Sequence, residues 1–171
     1  MLNIVIPMAG KGSRFANAGY KKPKPLIEIN GKPMIELVIK NLSPNIPHRF
    51  IFIVQKMHIG EYDLKNLLNK CCHEAKIVEI DYITKGAACT VLEAEEYINN
   101  ENPLMIANSD QWIDMSIDDY LESWFRSKYE GFIMTMKADD PKWSFVKFDK
   151  YGKIIDVVEK EVVSDEATVG I

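Results

Sequence analysis

The sequence is poor in residues that could cross-link it or hold a metal through sulfur and nitrogen. It has three cysteines, Cys71, Cys72 and Cys89. An odd count with a vicinal pair makes a weak disulfide framework, so reduced thiols in a cytoplasm are expected. The three histidines, His48, His58 and His73, show no ligand spacing; each reads as a surface or loop residue, and no zinc site is expected. No apolar run approaches the roughly 20 residues of a membrane span. A signal peptide is not expected either, because Asn3 and Pro7 interrupt the short apolar start. There is no excess of positive charge: the formal net charge is −4, which argues against a nucleic-acid partner. Repeats, low-complexity tracts and linkers are also absent, so the 171 residues are expected to form one domain, 1–171.

Two familiar glycine motifs are missing as well. A dinucleotide fingerprint needs a third glycine, and the frame that starts at Gly10 has Phe15 there. No G-x-x-x-x-G-K-[S/T] run exists. What is present is Ile4-Val5-Ile6-Pro7, a short buried strand, followed at once by Gly10-Lys11-Gly12-Ser13-Arg14-Phe15 and then by Pro23-Lys24-Pro25-Leu26-Ile27. Glycines let backbone N–H groups approach phosphate oxygens, and fixed cations neutralise them. The pattern points to a nucleoside triphosphate, with Gly10, Gly12 and Ser13 supplying backbone donors.

Strand and helix patterns alternate along most of the chain. An amphipathic helix opens near Pro33. Phe50–Val54 reads as a doubly buried parallel strand. Leu64, Leu67, Leu68 and Cys71 recur at helical spacing, and Ile77–Ile83 is a second strand. Ala88, Val91, Leu92 and Tyr97 mark a helix face after Gly86. Leu104–Ala107 is a further buried strand, and Ile117, Tyr120, Leu121, Trp124 and Phe125 form a stripe behind a helix start at Ser116. After Gly131 the pattern becomes strands: Phe132–Met136, Ser144–Phe148 and Lys153–Val158, with a hairpin tip at Tyr151-Gly152. This order predicts an α/β three-layer sandwich, with a mainly parallel, Rossmann-like central sheet and a sheet extension. Ligand should enter at the carboxyl ends of the strands. Asp110 in Asn108-Ser109-Asp110-Gln111 would then stand at the mouth, where a Mg²⁺–triphosphate would lie; magnesium takes only one or two protein oxygens. Asp110-Gln111-Trp112 lacks the Asp-x-Asp by which a glycosyltransferase grips its metal.

Taken together, these motifs make the chain resemble the sugar-phosphate nucleotidylyltransferases, such as glucose-1-phosphate thymidylyl- and uridylyltransferases. Their loop reads G-x-G-x-R and is followed by P-K-P or a similar lysine motif. The resemblance covers nearly all of the chain. It implies a fold of the nucleotide-diphospho-sugar transferase type, and transfer of a nucleoside monophosphate to a phosphorylated acceptor with release of pyrophosphate. Sugar-nucleotide supply for capsule or cell-surface polysaccharide would be the setting. By the same resemblance Arg14 binds the β- and γ-phosphates, Lys24 the α-phosphate or its incoming partner, and Asp110 the catalytic Mg²⁺. Met8, Ala9 and Gly86 would meet the nucleobase, and Gln55 could add amide hydrogen bonds. Glu159 and Lys160 in Val157-Val158-Glu159-Lys160-Glu161 match a motif that holds the acceptor's sugar hydroxyls and phosphate.

Two departures stand out. Ser144 occupies a position where the family carries a glycine against the sugar, so a different sugar, or a polyol or amino-acid phosphate, becomes an acceptor candidate. Val169-Gly170-Ile171 matches a strand that, in the family, continues into a segment with a second metal-binding aspartate; Gly170 is counted with Ser144, Glu159 and Lys160 on the acceptor side. A shortened chain is therefore expected, with apolar surface uncovered and self-association into a homo-oligomer as a consequence. A non-catalytic nucleotide-binding module stands as the second functional reading, and a glycosyltransferase as the third.

Overall fold

The fold is organised around one strand. The structure is a computed structural model of residues 1–171, and it describes all of them apart from the side chain of Arg14. β1 (Leu2–Pro7) lies between β4 (His48–Gln55) and β6 (Leu104–Ile106), and β5 (Lys76–Ile80) pairs with the far side of β4. The order is β5-β4-β1-β6 and every pairing is parallel. Ile4, Val5 and Ile6 are each fully buried. Successive side chains point to opposite faces, so both faces of this strand are covered, which is why it reads as an unbroken apolar run. The polar exception is Asn3. Its Oδ1 accepts from Arg49 Nη2 at 2.8 Å and Arg49 Nε at 3.2 Å, so the buried amide is not left unpaired.

Short helices and turns join the strands. α1 (Ser13–Asn17) follows β1. A single 3₁₀ turn at Lys24–Leu26 and a small hairpin of β2 (Glu28–Ile29) and β3 (Lys32–Pro33) lead into α2 (Met34–Leu42). α3 (Lys56–Tyr62) and α4 (Leu64–Cys71) connect β4 to β5; α5 (Ala87–Leu92) and α6 (Glu95–Ile98) connect β5 to β6. None of these helices is long and apolar enough to cross a membrane among the described residues. One core cluster gathers Val5, Ala9, Ile51, Ile53, Ile80, Val91 and Ala94.

The chain divides into two compact units, Met1–Asp118 and Asp119–Ile171, with the boundary in α7 (Ile117–Ser127). The second unit holds a four-stranded antiparallel sheet of order β7-β10-β8-β9. Its strands are β7 (Thr135–Lys137), β8 (Ser144–Phe148), β9 (Ile154–Glu159) and β10 (Glu166–Thr168). The β8–β9 turn is closed by Asp149, whose Oδ1 accepts from the N–H groups of Tyr151 and Lys153. Gly152 sits there at φ 78°, in the left-handed region that glycine adopts without strain.

Several expectations need correction. β5 ends at Ile80, and Ile83 is exposed, so the expected strand to 83 is shorter. The segment after Gly86 is two short helices rather than one; Leu92, the last residue of α5, is exposed while Val91 and Ala94 stay in the core. β6 is an edge strand; Met105 and Ala107 are buried, but Leu104 and Ile106 are exposed, because one face of the strand lacks a cover. Phe125 leaves the predicted stripe of α7: Tyr120 and Leu121 are buried while Phe125 is exposed. Phe132 and Ile133 precede β7 rather than belong to it, and Val169–Ile171 lies just beyond β10. Two backbone bonds, Val169 N–H to Met134 O and Met134 N–H to Ile171 O, still tie that end down.

Ile53 is fully buried in the central cluster. Ile53→Ala should therefore lower the unfolding free energy by about 2–5 kcal/mol. Leu92→Ala, at an exposed position, should change it by less than about 0.5 kcal/mol. Urea denaturation of both variants checks the pair, and equal losses would contradict the buried and exposed placements of these two side chains.

Candidate functional site

The order β5-β4-β1-β6 contains one reversal. From β1 the chain lays down β4 and then β5 on one side, and then crosses back to place β6 on the other. The loops leaving β1 and β6 diverge there and leave a crevice beyond the strand ends. A cleft of about 780 Å³ opens at this point, lined by Met8, Gly10–Ser13, the 20–25 segment, α3 residues and Asn108–Asp110.

The loop after β1 presents unspent donors. Gly12 has φ 59°, a conformation that costs a side-chain-bearing residue. Its carbonyl accepts from Phe15 and Ala16 and so opens α1. Among the described residues, no acceptor takes the N–H groups of Gly10, Lys11 or Gly12. The Pro-Lys-Pro segment is fixed from below. Pro25 and Leu26 are buried, and Leu26 N–H bonds Pro23 O at 2.8 Å. These anchors hold Lys24 over the cleft, with its Nζ 5.2 Å from the Phe15 ring centroid. The loop after β6 is held by Asn41 of α2. Asn41 Nδ2 donates to Ile113 O at 2.9 Å and Ile113 N–H donates to Asn41 Oδ1 at 2.8 Å. Asn108 Nδ2 also donates to Gln111 Oε1 at 2.5 Å. These bonds set the position of Asp110, which forms an ion pair with Lys24; both side chains are about 70% buried.

The cleft thus gathers Met8, Gly10, Gly12, Ser13, Lys24 and Asp110. The side chain of Arg14 lies outside the described residues. Ala9 is not on the wall: its side chain belongs to the core cluster, and its carbonyl accepts from Gln55 Nε2 at 2.8 Å. Gln55 also donates to Tyr82 O at 2.9 Å, so both of its amide hydrogens are committed to backbone rather than offered to a base. Gly86 caps α5 at φ 171°, an extended value that any residue adopts, and a Cβ there would meet nothing within 4 Å. A tight turn does not explain that glycine.

The acceptor-side candidates all lie in the second unit. Ser144 pairs with Glu159 across β8 and β9. Lys160 Nζ contacts Glu159 Oε1 at 2.6 Å, which holds the Glu159 carboxyl below its ordinary value. Lys160 adopts φ 60° and its N–H bonds Trp143 O; a non-glycine residue held in this region is a strained one. Gly170 is at φ 81°.

The sequence reading passed over α3. Met57, His58, Glu61 and Tyr62 all line the cleft, and Tyr62 Oη donates to Lys21 O at 3.3 Å. The available signal was position: these residues directly follow Gln55, at the carboxyl end of β4 beside β1, where the crevice must lie. Asn41 gave no comparable signal, since its two bonds span 72 residues.

Residues 4–170 match the nucleotidyl transferase family, and the chain belongs to that family. It is 27% identical over 180 residues to the bifunctional protein GlmU of Methanococcus maripaludis strain C5, a match covering 99% of this chain and 39% of that protein. The chain therefore spans about two fifths of the length of that relative. The solved nucleoside-diphosphate-sugar pyrophosphorylase of Vibrio cholerae RC9 is 26% identical with a TM-score of 0.71, covering 98% of this chain and 70% of that one. A UDP-glucose pyrophosphorylase complexed with UDP-glucose shares the fold, with a TM-score of 0.75 at 19% identity, over 99% of this chain and 74% of that one.

His58 gives a pH test of the cleft wall. Burial pushes its imidazole below the ordinary 6.5, against a smaller upward pull from Glu61. The unfolded chain then takes up a proton at higher pH than the folded one. The contribution of His58 to stability is fully present above pH 6.5 and falls as the pH drops toward the folded value. Histidine NMR titration should place its midpoint below 6.5, and His58→Gln should flatten the stability profile in that window. A midpoint at or above 6.5 would contradict this partly buried placement.

Proposed function

We propose that this chain transfers a nucleoside monophosphate from a nucleoside triphosphate to a phosphorylated acceptor, a sugar 1-phosphate first of all, and releases pyrophosphate. The observation that carries this reading is the convergence at the reversal point of a cation, a carboxylate and a loop of unspent N–H groups. An acceptor phosphate oxygen attacks the α-phosphorus; the new P–O bond forms as the bond to the β-phosphate oxygen breaks, and pyrophosphate departs with the electron pair. No side chain becomes covalently bonded. Catalysis of such a step is positioning and charge neutralisation.

In this reading the N–H groups of residues 10–13 and Arg14 hold the β- and γ-phosphates, and Lys24 leaves Asp110 to meet charge growing at the α-phosphate. Asp110 suits a hard divalent cation. No three His, Cys, Asp or Glu side chains converge among the described residues, so the remaining ligands would be phosphate oxygens and water, as Mg²⁺ prefers. Mg²⁺ at Asp110 would supply charge neutralisation across the phosphates. Met8 and Gly86 would face the base, with Ala9 contributing backbone. Ser144, Glu159, Lys160 and Gly170 would hold the acceptor, with residues 1–171 acting as one nucleotidylyltransferase domain. A cytoplasmic setting and homo-oligomer formation belong to the same proposal.

The test is pyrophosphate release from ATP, CTP, GTP, UTP or dTTP with Mg²⁺ and a panel of sugar, polyol and amino-acid phosphates. One base and one acceptor class should give turnover. Asp110→Asn should reduce it by at least ~10²-fold, and Arg14→Ala or Lys24→Ala should each cost about 3 kcal/mol in kcat/KM. Tight triphosphate binding without pyrophosphate release from any acceptor would make the chain a binding module instead.

A further inference from the structure

Gln55 is the last residue of β4 and is buried between the ends of two neighbouring strands. On one side the last rung pairs Pro7 with Ile53; on the other, Gln55 itself pairs with Ile80. Beyond these rungs the backbones separate. The carbonyls of Ala9 and Tyr82, each two residues past a final rung, have lost the ladder partners that a longer sheet would provide. Gln55 Nε2 donates to both, at 2.8 Å and 2.9 Å. Both partners are carbonyl oxygens, so only the NH₂ end of the amide can face them. A neutral side chain with two donors on one atom, at this reach, is what the position requires.

Ala9 belongs to the loop that carries Gly10–Gly12. Tyr82 belongs to the loop that leads to Gly86, whose carbonyl is in turn held by Thr84 Oγ1 at 3.2 Å and Thr90 Oγ1 at 3.1 Å. The amide therefore braces the loop leaving β1 to the loop leaving β5 across the central strand. We propose that Gln55 is a positioning residue: it fixes the spacing of these two loops and thereby sets how tightly, and with what base preference, the site takes a nucleoside triphosphate. This rests on the nucleotide reading above. A ligand that spans both loops needs the brace, whereas one that meets only the glycine loop does not.

The experiment compares the full chain with Gln55→Met, which keeps the bulk and loses both donors. Hydrogen exchange without ligand should quicken in peptides covering 8–12 and 81–86 together. Calorimetry with Mg²⁺ should show the preferred triphosphate binding about tenfold more weakly, the loss expected for two hydrogen bonds. Its lead over the other four nucleotides should shrink, while inorganic tripolyphosphate should change by less than about threefold. Should Gln55→Met fail to fold, Gln55→Asn, one methylene shorter, carries the same expectations. A variant with a lower Tm but unchanged base preference and unchanged nucleotide affinity would overturn the proposal and leave Gln55 a packing residue. Unchanged exchange in either loop would overturn it as well. If the unaltered chain binds neither triphosphate nor tripolyphosphate, the nucleotide reading fails and the affinity half of the proposal with it; the exchange data then decide whether the brace exists.

Discussion

Everything in the first unit depends on parallel pairing of β1 on both of its edges. A parallel neighbour cannot be reached by a tight turn; the chain must travel back along the sheet before it can pair again. β4 and β6 satisfy β1 from opposite sides, so the connections must reverse direction at that strand. The reversal leaves a crevice at one end, and the loops that border it are the ones free to carry chemistry. The core is continuous beneath it, with Val5, Ile51 and Ile53 fully buried. The rigid part of the molecule is therefore directly under the loops that need to be held.

Polar atoms in this region are either committed to holding loops or left free on the cleft wall. Asn41 holds the loop after β6 by two bonds, and Gln55 holds the loops after β1 and β5 by two more. Free groups include the N–H donors of Gly10, Lys11 and Gly12. Lys24 and Asp110 stand between these classes. Each neutralises the other across the cleft, with under a third of each side chain left exposed. In the proposed reaction a phosphate at the ammonium and a divalent cation at the carboxylate would each replace the partner lost.

Local patterns made much of this legible. The strand over 4–7, the glycine loop, the helix after Pro33 and the β8–β9 hairpin each follow from residues close in sequence. Continuous apolar runs mark doubly covered strands, and a lysine between two prolines marks a rigid turn. The readings that failed share another feature: they required knowing what lies across from a residue. Leu104 and Ile106 look buried by composition and are exposed because their face of β6 is uncovered. Phe125 looks like part of the α7 stripe and is not.

The sequence by itself therefore determined the strand-and-helix order, the glycine loop at residues 10–14, the rigid turn at 23–25 and the candidacy of Asp110, because each is encoded within a few neighbouring residues. Membership of the nucleotidyl transferase family rests on the match over residues 4–170, which no single motif supplies. Only the tertiary structure decided that Lys24 meets Asp110, that α3 forms a cleft wall with His58 and Glu61, and that Gln55 ties two loops together. Those contacts join residues 27 to 86 positions apart, and the sheet order alone determines which distant loops become neighbours.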